Sequence, residues 1–346
     1  MGVKQAFIYP AHGSSGKAAK LLRSALTGRS YWEELFFRSQ MHEDLRREVE
    51  ATPAGVPSAI VLDTVYLAPV LRGISASTPI ALTHHNIESN LLESRAAAAS
   101  GAKRLIFSVN AGRTRSLEVT ESQRAAINLM VSEEDGDRLC AVAGAVPVAI
   151  VPNGVDVDFF REDQGAVRKP HSLVFAGGMD WFPNRDAIEW LCSDIWPQLV
   201  ADEPRRTLTI IGRSPPVAAT ALASRDTRVR VLGFVDDVRP YISEASAYLC
   251  PIRLGGGTRL KVLDALAMRR PLIATGLSVD GLALESGRHY LRADTGEQFA
   301  GELRRLDDDN LLYARLQAEG RAHVEERFSW RFIGGELFQA IDAAAR

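Results

Sequence analysis

Short, almost unbroken runs of aliphatic and β-branched residues punctuate the second half of the chain. They are "SLVFAGG" (Ser172 to Gly178), "TLTIIGR" (Thr207 to Arg213), "VRVLGFV" (Val229 to Val235), "AYLCPI" (Ala247 to Ile252) and "PLIAT" (Pro271 to Thr275). Most end in glycine or proline, and helix-patterned sequence fills several of the gaps. Strands that are apolar on both faces belong in a parallel sheet covered by helices on both sides. In "NRDAIEWLCSDIWPQL", Ile188, Leu191, Ile195 and Leu199 form one apolar stripe, with Asn184 placed as a helix cap. The first half repeats the pattern less cleanly, with strands predicted in "QAFIYP", "AIVLD" (Ala59 to Asp63), "PIALTHH" (Pro79 to His85), "AINLMVS" (Ala126 to Ser132) and "VPVAIVP" (Val146 to Pro152). Between Val155 and Pro170 the chain turns polar and reads as a linker. The pattern therefore predicts an α/β protein of two doubly wound parallel-sheet domains, residues 1–165 and 166–328, followed by a terminal segment, 329–346.

The 346-residue length fits two domains, and a net charge of −2 removes the basic excess expected of a nucleic-acid binder. No apolar run approaches the ~18 residues of a membrane span, and the start "MGVKQAFIYPAHGSSGK" lacks a secretory signal. Cys140, Cys192 and Cys250 are isolated and odd in number, which suits buried thiols in a reducing, cytoplasmic compartment. One amphipathic stretch, "KAAKLLRSALTGR" (residues 17–29), reads first as a solvated helix face and second as a basic dock for anionic lipid at the inner face of the membrane.

Ligands of open α/β sheets sit outside the carboxyl ends of the strands, which selects "RLGGGTRLKVLDALA" for its chemistry. Gly255, Gly256 and Gly257, followed by Thr258, would let a backbone approach a ligand closely, and free N–H groups at a helix start attract an anion. Arg259 can fork onto phosphate oxygens, Lys261 adds a compact charge, and Asp264 one turn on can accept hydrogen bonds from sugar hydroxyls. A nucleoside diphosphate offers both an anion and a ribose diol. Neither a P-loop nor a GxGxxG fingerprint is present.

With "HHNIES", "VSEED", "VPNGVD", "VFAGGMDWFPN", "IIGRSPP", "LGFVDDVRPYI", "GGGTRLKVLDALAM" and "FSW" in this order, the chain resembles the retaining, nucleotide-sugar-dependent glycosyltransferases of family 4 (group 1), and within them a "GGGTRLK" subgroup. The resemblance implies the GT-B fold of two facing Rossmann-like domains, the first lacking its leading βα unit, and a terminal helix returning to the first domain. It implies a hexose-type sugar moved with retention from a nucleotide diphosphate donor, such as a UDP-sugar, to a glycan (polysaccharide), lipid-linked or small-molecule acceptor. No cofactor and no metal are expected. Asp264 takes the place of the family's ribose-binding acid, while the place of its other acid falls at Gly256. The family's Arg…Lys pair after the first strand of this domain is replaced by "GGMDWFPN", so Arg259 and Lys261 would carry the diphosphate charge. Gly177, Gly178 and Arg213 would lie beside the donor, and Gly233, Phe234 and Val235 would present backbone to the base.

His84, His85, Asn86 and Glu88 end a strand of the first domain and are expected to face the cleft, with His84, Asn86 and Glu88 on the acceptor side. As residues alone they fit a capped turn with a satisfied histidine. The resemblance instead implies that His85, rather than His84, orients the donor sugar in a front-face displacement. Asn153 and Asp156 in "VPNGVD" sit at the junction, either as a turn or at the acceptor. Ser132, Glu133 and Asp135 read as a helix start, Trp181, Phe182 and Trp190 as core and cleft wall, and Asp307 to Asp309 as a helix connection that only resembles a metal motif. Two rivals stay open: a sugar-nucleotide epimerase of the same fold, and a non-catalytic sugar-nucleotide-binding or assembly protein.

Overall fold

The computed structural model describes residues 17–52, 59–74, 78–163, 165–255 and 259–345. The chain divides into two compact units, residues 1–151 with 336–346, and residues 152–335. The strand expected in "QAFIYP" and the Gly256–Thr258 part of the Gly-rich loop lie outside the described residues.

In the first unit β1 (Ile60–Leu62), β2 (Ile80–His84), β3 (Ile127–Met130) and β4 (Val148–Ile150) pair in parallel in sequence order. Four of the five β2 residues are buried, as an apolar strand covered on both faces requires. Leu62, Val65, Tyr66, Leu71 and Leu82 form one core cluster; Ile87, Met130 and Leu139 form another. Ser132 caps the helix Glu133–Ala143 by accepting from Asp135 N, and three acidic residues fill its first turn, as read from "VSEED".

In the second unit β5 (Ser172–Ala176), β6 (Thr207–Ile211), β7 (Val229–Gly233), β8 (Ala247–Cys250), β9 (Leu272–Ala274) and β10 (Leu291–Arg292) form a parallel sheet in the order β10-β9-β8-β5-β6-β7. Alternate β5 side chains serve different cores: Leu173 and Phe175 pack with Ile188, Trp196 and Leu208, whereas Val174 and Ala176 pack with Tyr248, Val262 and Leu266. The order reverses between β5 and β8, and a reversal of this kind opens a crevice at the carboxyl ends of the two strands. The Tyr248 hydroxyl ties that point together, donating to Ala176 O at 2.8 Å and accepting from Ala176 N at 3.0 Å.

Two expectations need correction. The polar run after Val155 is not a free linker, because Val155 N donates to Phe328 O at 2.7 Å and Arg321 donates to the carbonyls of Val157 and Phe160. Glu162 pairs with the buried Arg270. The break therefore falls between Val151 and Pro152, ahead of the expected residue 165. The terminal helix spans Trp330–Ala345, and residues 336–346 group with the first unit. Trp181 and Phe182 are 40% and 64% exposed rather than core, while Trp190 packs edge-on against Phe299.

Gly212, just past β6, has a φ of +150°, and a Cβ there would lie 1.9 Å from Gly177 O. Gly212→Ala should force apart the ends of β5 and β6 and cost about 3 kcal/mol of stability. Denaturant unfolding of the variant checks this; a midpoint equal to the parent would refute the close approach.

Candidate functional site at the second sheet

The helix Leu260–Ala267 starts where the Gly-rich loop leaves β8, and it buries Val262, Leu263, Ala265 and Leu266 against the sheet. That face fixes the helix rotation and leaves Lys261 and Asp264, three residues apart, as neighbours near its start. The Lys261 ammonium donates to Asn184 Oδ1 and lies 5.1 Å from the centre of the Phe175 ring. It also occupies the space above Gly177, where an added Cβ would come within 3.0 Å of Nζ. Arg259 donates to Gly255 O at 2.7 Å. Burial lowers the pKa of both cations. Burial also pushes the Asp264 carboxyl up to about 7, against the opposing pull of Lys261. Among the described residues no group donates a hydrogen bond to that carboxyl.

Two desolvated cations beside a desolvated acid are costly in an empty protein. Groups perturbed in this way at a strand-end crevice mark a ligand site. The arrangement suits a ligand with an anion for the cations and hydroxyl donors for the acid.

The neighbouring strand ends supply backbone. Gly177 and Gly178 follow β5, and Gly178 O accepts from Asn184 Nδ2 at 2.7 Å. Gly233 ends β7 at φ +68°, its carbonyl accepting from Gly212 N, and Phe234 beyond it is 67% exposed. Val235 is half-buried. Arg213 is turned toward Asp180 at 3.6 Å in an exposed pair. Gly255 has a φ of +89°, with Pro183 close against it; the calls on Gly256, Gly257 and Thr258 fall outside the described residues.

Asn184 corrects the sequence reading. It does not cap its helix, which begins at Phe182 after Trp181; it is the third residue, 7% exposed, with its side chain turned to the site. The available signal was a polar amide in a first turn that follows a Gly-Gly strand end.

In the first unit the two histidines separate cleanly. His84 is the last residue of β2 and 3% exposed, its Nε2 3.0 Å from Asn128 Oδ1 on the adjacent strand. Burial lowers its pKa, so it is a neutral, satisfied core histidine. His85 is exposed, with Nε2 2.9 Å from Asp63 Oδ1 at the end of β1, a partner that sequence reading missed. Asn86 is half-buried beside it. Glu88 opens the helix Glu88–Ala98, and its backbone N–H donates to Glu118 Oε1 at 2.6 Å. Its carboxyl is turned inward to the Tyr66 hydroxyl at 3.5 Å, and burial raises its pKa.

Asn153 and Asp156 lie in the second unit. Asp156 Oδ1 accepts from Asp158 N and Phe159 N, which is the turn reading of "VPNGVD". Gly154 before it lies against Phe328 O and the Trp330 ring. Asp307 pairs with Arg206 and His171, and Asp309 caps the helix Asn310–Arg327. No group of three or more metal-ligating side chains occurs among the described residues.

Comparison with known proteins places a family match within this unit. Residues 170–309 match the family described as Glycosyl transferases group 1. The chain is 26% identical over 217 residues to a GDP-mannose-dependent monoacylated alpha-(1-6)-phosphatidylinositol monomannoside mannosyltransferase of Corynebacterium glutamicum. That alignment covers 57% of this chain and 56% of the relative, so it spans about half the relative's length. Among solved structures, sucrose-phosphate synthase from Thermosynechococcus elongatus is similar with a TM-score of 0.64 at 20% identity, over 89% of this chain and 80% of that one. Anabaena HepE in complex with UDP is similar with a TM-score of 0.66 at 13% identity, over 88% and 82%. These likenesses establish the fold, the GT-B class of two Rossmann-like α/β units.

Two measurements follow from the geometry. His84→Ala should cost about 2 kcal/mol of stability by leaving the Asn128 Oδ1 without its partner, whereas His85→Ala should stay within about 0.5 kcal/mol. Equal stabilities would erase the distinction. Asp264 titrates at about 7 in the folded chain, above the ~3.9 of an unfolded aspartate, so the native state holds its proton more tightly. Its contribution is full below pH ~4 and is lost as pH rises toward 7. Unliganded wild type should therefore lose more stability between pH 5 and 8 than Asp264→Asn. Parallel pH profiles would contradict the shift.

Proposed function

We propose that the chain is a metal-independent, retaining glycosyltransferase that moves a hexose-type sugar from a nucleoside-diphosphate donor to a glycan, lipid-linked or small-molecule acceptor. The observation that carries this reading is the half-buried, poorly solvated cluster of Arg259, Lys261 and Asp264 at the β5–β8 reversal. The group 1 match over residues 170–309 supports it, as do relatives whose names include GDP-mannose and UDP. Asp264 receives the ribose diol. Gly177, Gly178 and Gly255 bring backbone close to the phosphates, and Gly233 to Val235 offer main chain to the base.

In the transfer step, the bond between the sugar's anomeric carbon and the diphosphate oxygen breaks while the acceptor oxygen attacks from the same face. The leaving diphosphate takes the acceptor proton. Arg259 and Lys261 stabilise the charge that grows on the diphosphate, so their contacts are stronger in the transition state than in the ground state. His85 orients the donor sugar, and Asn86 stands beside it. The exposed Leu21, Leu22 and Leu26, with Arg23 on the same helix, suit contact with an anionic membrane that carries a lipid-linked acceptor.

The test is a set of binding isotherms for UDP and GDP against uridine and guanosine. In Arg259→Ala/Lys261→Ala, diphosphate affinity should fall while nucleoside affinity holds. Asp264→Ala should weaken both ligands by about 1.5–3 kcal/mol, the range of a hydrogen bond to a charged group. Each single cation variant should also slow turnover by ~10²–10³, as loss of one preorganised donor does. Equal losses of nucleoside and diphosphate in the double variant would sink the phosphate assignment. Absence of nucleoside diphosphate release from any donor sugar would leave a binding protein.

A further inference from the structure

Three side chains of the helix Phe182–Trp190 contact Arg253, Gly255 and Lys261, one residue each. Asp186 takes the Arg253 guanidinium at 2.8 and 3.0 Å. Pro183 stands where a Cβ on Gly255 would be 2.8 Å away. Asn184 accepts from the Lys261 ammonium. This third contact differs from the others because the amide is fixed at both ends, its Nδ2 donating to Gly178 O at 2.7 Å. A carboxamide has one acceptor oxygen and one donor nitrogen, so pinning the nitrogen on a carbonyl aims the oxygen at the cation. Asn184 is 7% exposed, which leaves that orientation little freedom.

Charge explains why an amide serves here. A lysine side chain is long and loses rotamer freedom when it is fixed. A carboxylate would fix the ammonium but also cancel it. A neutral oxygen orders the ammonium and leaves its charge for a ligand. The Phe175 ring, 5.1 Å away, adds attraction without adding negative charge.

The geometry points to Asn184 as a positioning residue that holds the Lys261 ammonium at the carboxyl end of β5, oriented for a diphosphate. The inference rests on the donor-site reading above and adds to it a residue from a different helix. Asn184 acts through Lys261, and its effect belongs to the phosphate part of the ligand alone.

The experiment titrates UDP, GDP, uridine and guanosine calorimetrically into the full chain. It uses wild type, Asn184→Ala, Asn184→Asp, Lys261→Ala and Asn184→Ala/Lys261→Ala. Asn184→Ala should weaken the tighter-binding diphosphate roughly tenfold, equivalent to about 1.4 kcal/mol, with nucleoside affinity unchanged. Asn184→Asp, which keeps the shape but cancels the ammonium, should weaken it further. In the Lys261→Ala background, Asn184→Ala should add nothing, because its partner is already gone. Three results overturn the inference and leave the donor site standing. They are full diphosphate affinity in Asn184→Asp while Lys261→Ala loses it, additive losses in the double variant, and equal losses of nucleoside and diphosphate from Asn184→Ala. Wild-type diphosphate affinity in Lys261→Ala overturns the donor-site reading and the inference together.

Discussion

The constraint on which the second unit's site depends is the burial of one ammonium. Lys261 leaves its helix toward the sheet, passes over Phe175 and ends on Asn184 in the space above Gly177. Each neighbour follows from that position. A side chain on Gly177 would crowd the lysine and the amide, and Asn184 faces inward although it belongs to the first turn of a surface helix. Asp264, three residues on, comes to share the same poorly solvated volume. A buried cation in an unliganded protein is tolerated only when its hydrogen bonds are supplied. Here the amide oxygen supplies one, and the ring face softens the remaining cost.

The frame that makes this burial possible is the reversal of strand order at β5 and β8. Tyr248 bonds across it to both backbone groups of Ala176, so the two strands cannot drift apart beneath the lysine. On the other flank Gly212 lets the ends of β5 and β6 come within a distance that any Cβ would forbid. The floor of the crevice is thus held from both flanks.

Much of this frame was legible in the sequence, and what escaped has a physical reason. Of the five strands of the second unit that announced themselves, β5, β8 and β9 are buried apolar runs, because a parallel sheet buries both faces. The other two, β6 and the edge strand β7, keep an aliphatic majority broken by Thr209 and Arg230. The sixth, β10, is two residues long and carries no period to detect. The domain break was misplaced because residues 156–163 are polar in composition yet held by Arg321 and Arg270, cations more than a hundred positions away. Local polarity cannot distinguish a free linker from a backbone satisfied at long range. The spacing of Arg259, Lys261 and Asp264 declared their joint chemistry, since one helical turn brings neighbours three apart together. Asn184 and Asp63 gave no such signal, because their partners lie 77 and 22 residues away. The two histidines are adjacent in sequence but on opposite sides of a strand end, so the pleat separates a core residue from an exposed one.

The electrostatics of the empty site connect the fold to its chemistry. Burial drives Arg259 and Lys261 downward in pKa and Asp264 upward, so all three groups are pressed toward their neutral forms at once. Mutual attraction between Lys261 and Asp264 opposes this only in part. A ligand carrying negative charge relieves the cations, and one carrying hydroxyl donors relieves the acid. A ligand with both, at the right separation, relieves all three. The free energy that the folded chain forgoes by desolvating these groups is thereby returned selectively to such a ligand. A simple anion or a bare sugar recovers only a share of it. Selectivity for a two-part ligand then comes from holding opposite charges in one dry place, and the neutral amide of Asn184 keeps the positive side of that arrangement from being cancelled before the ligand arrives.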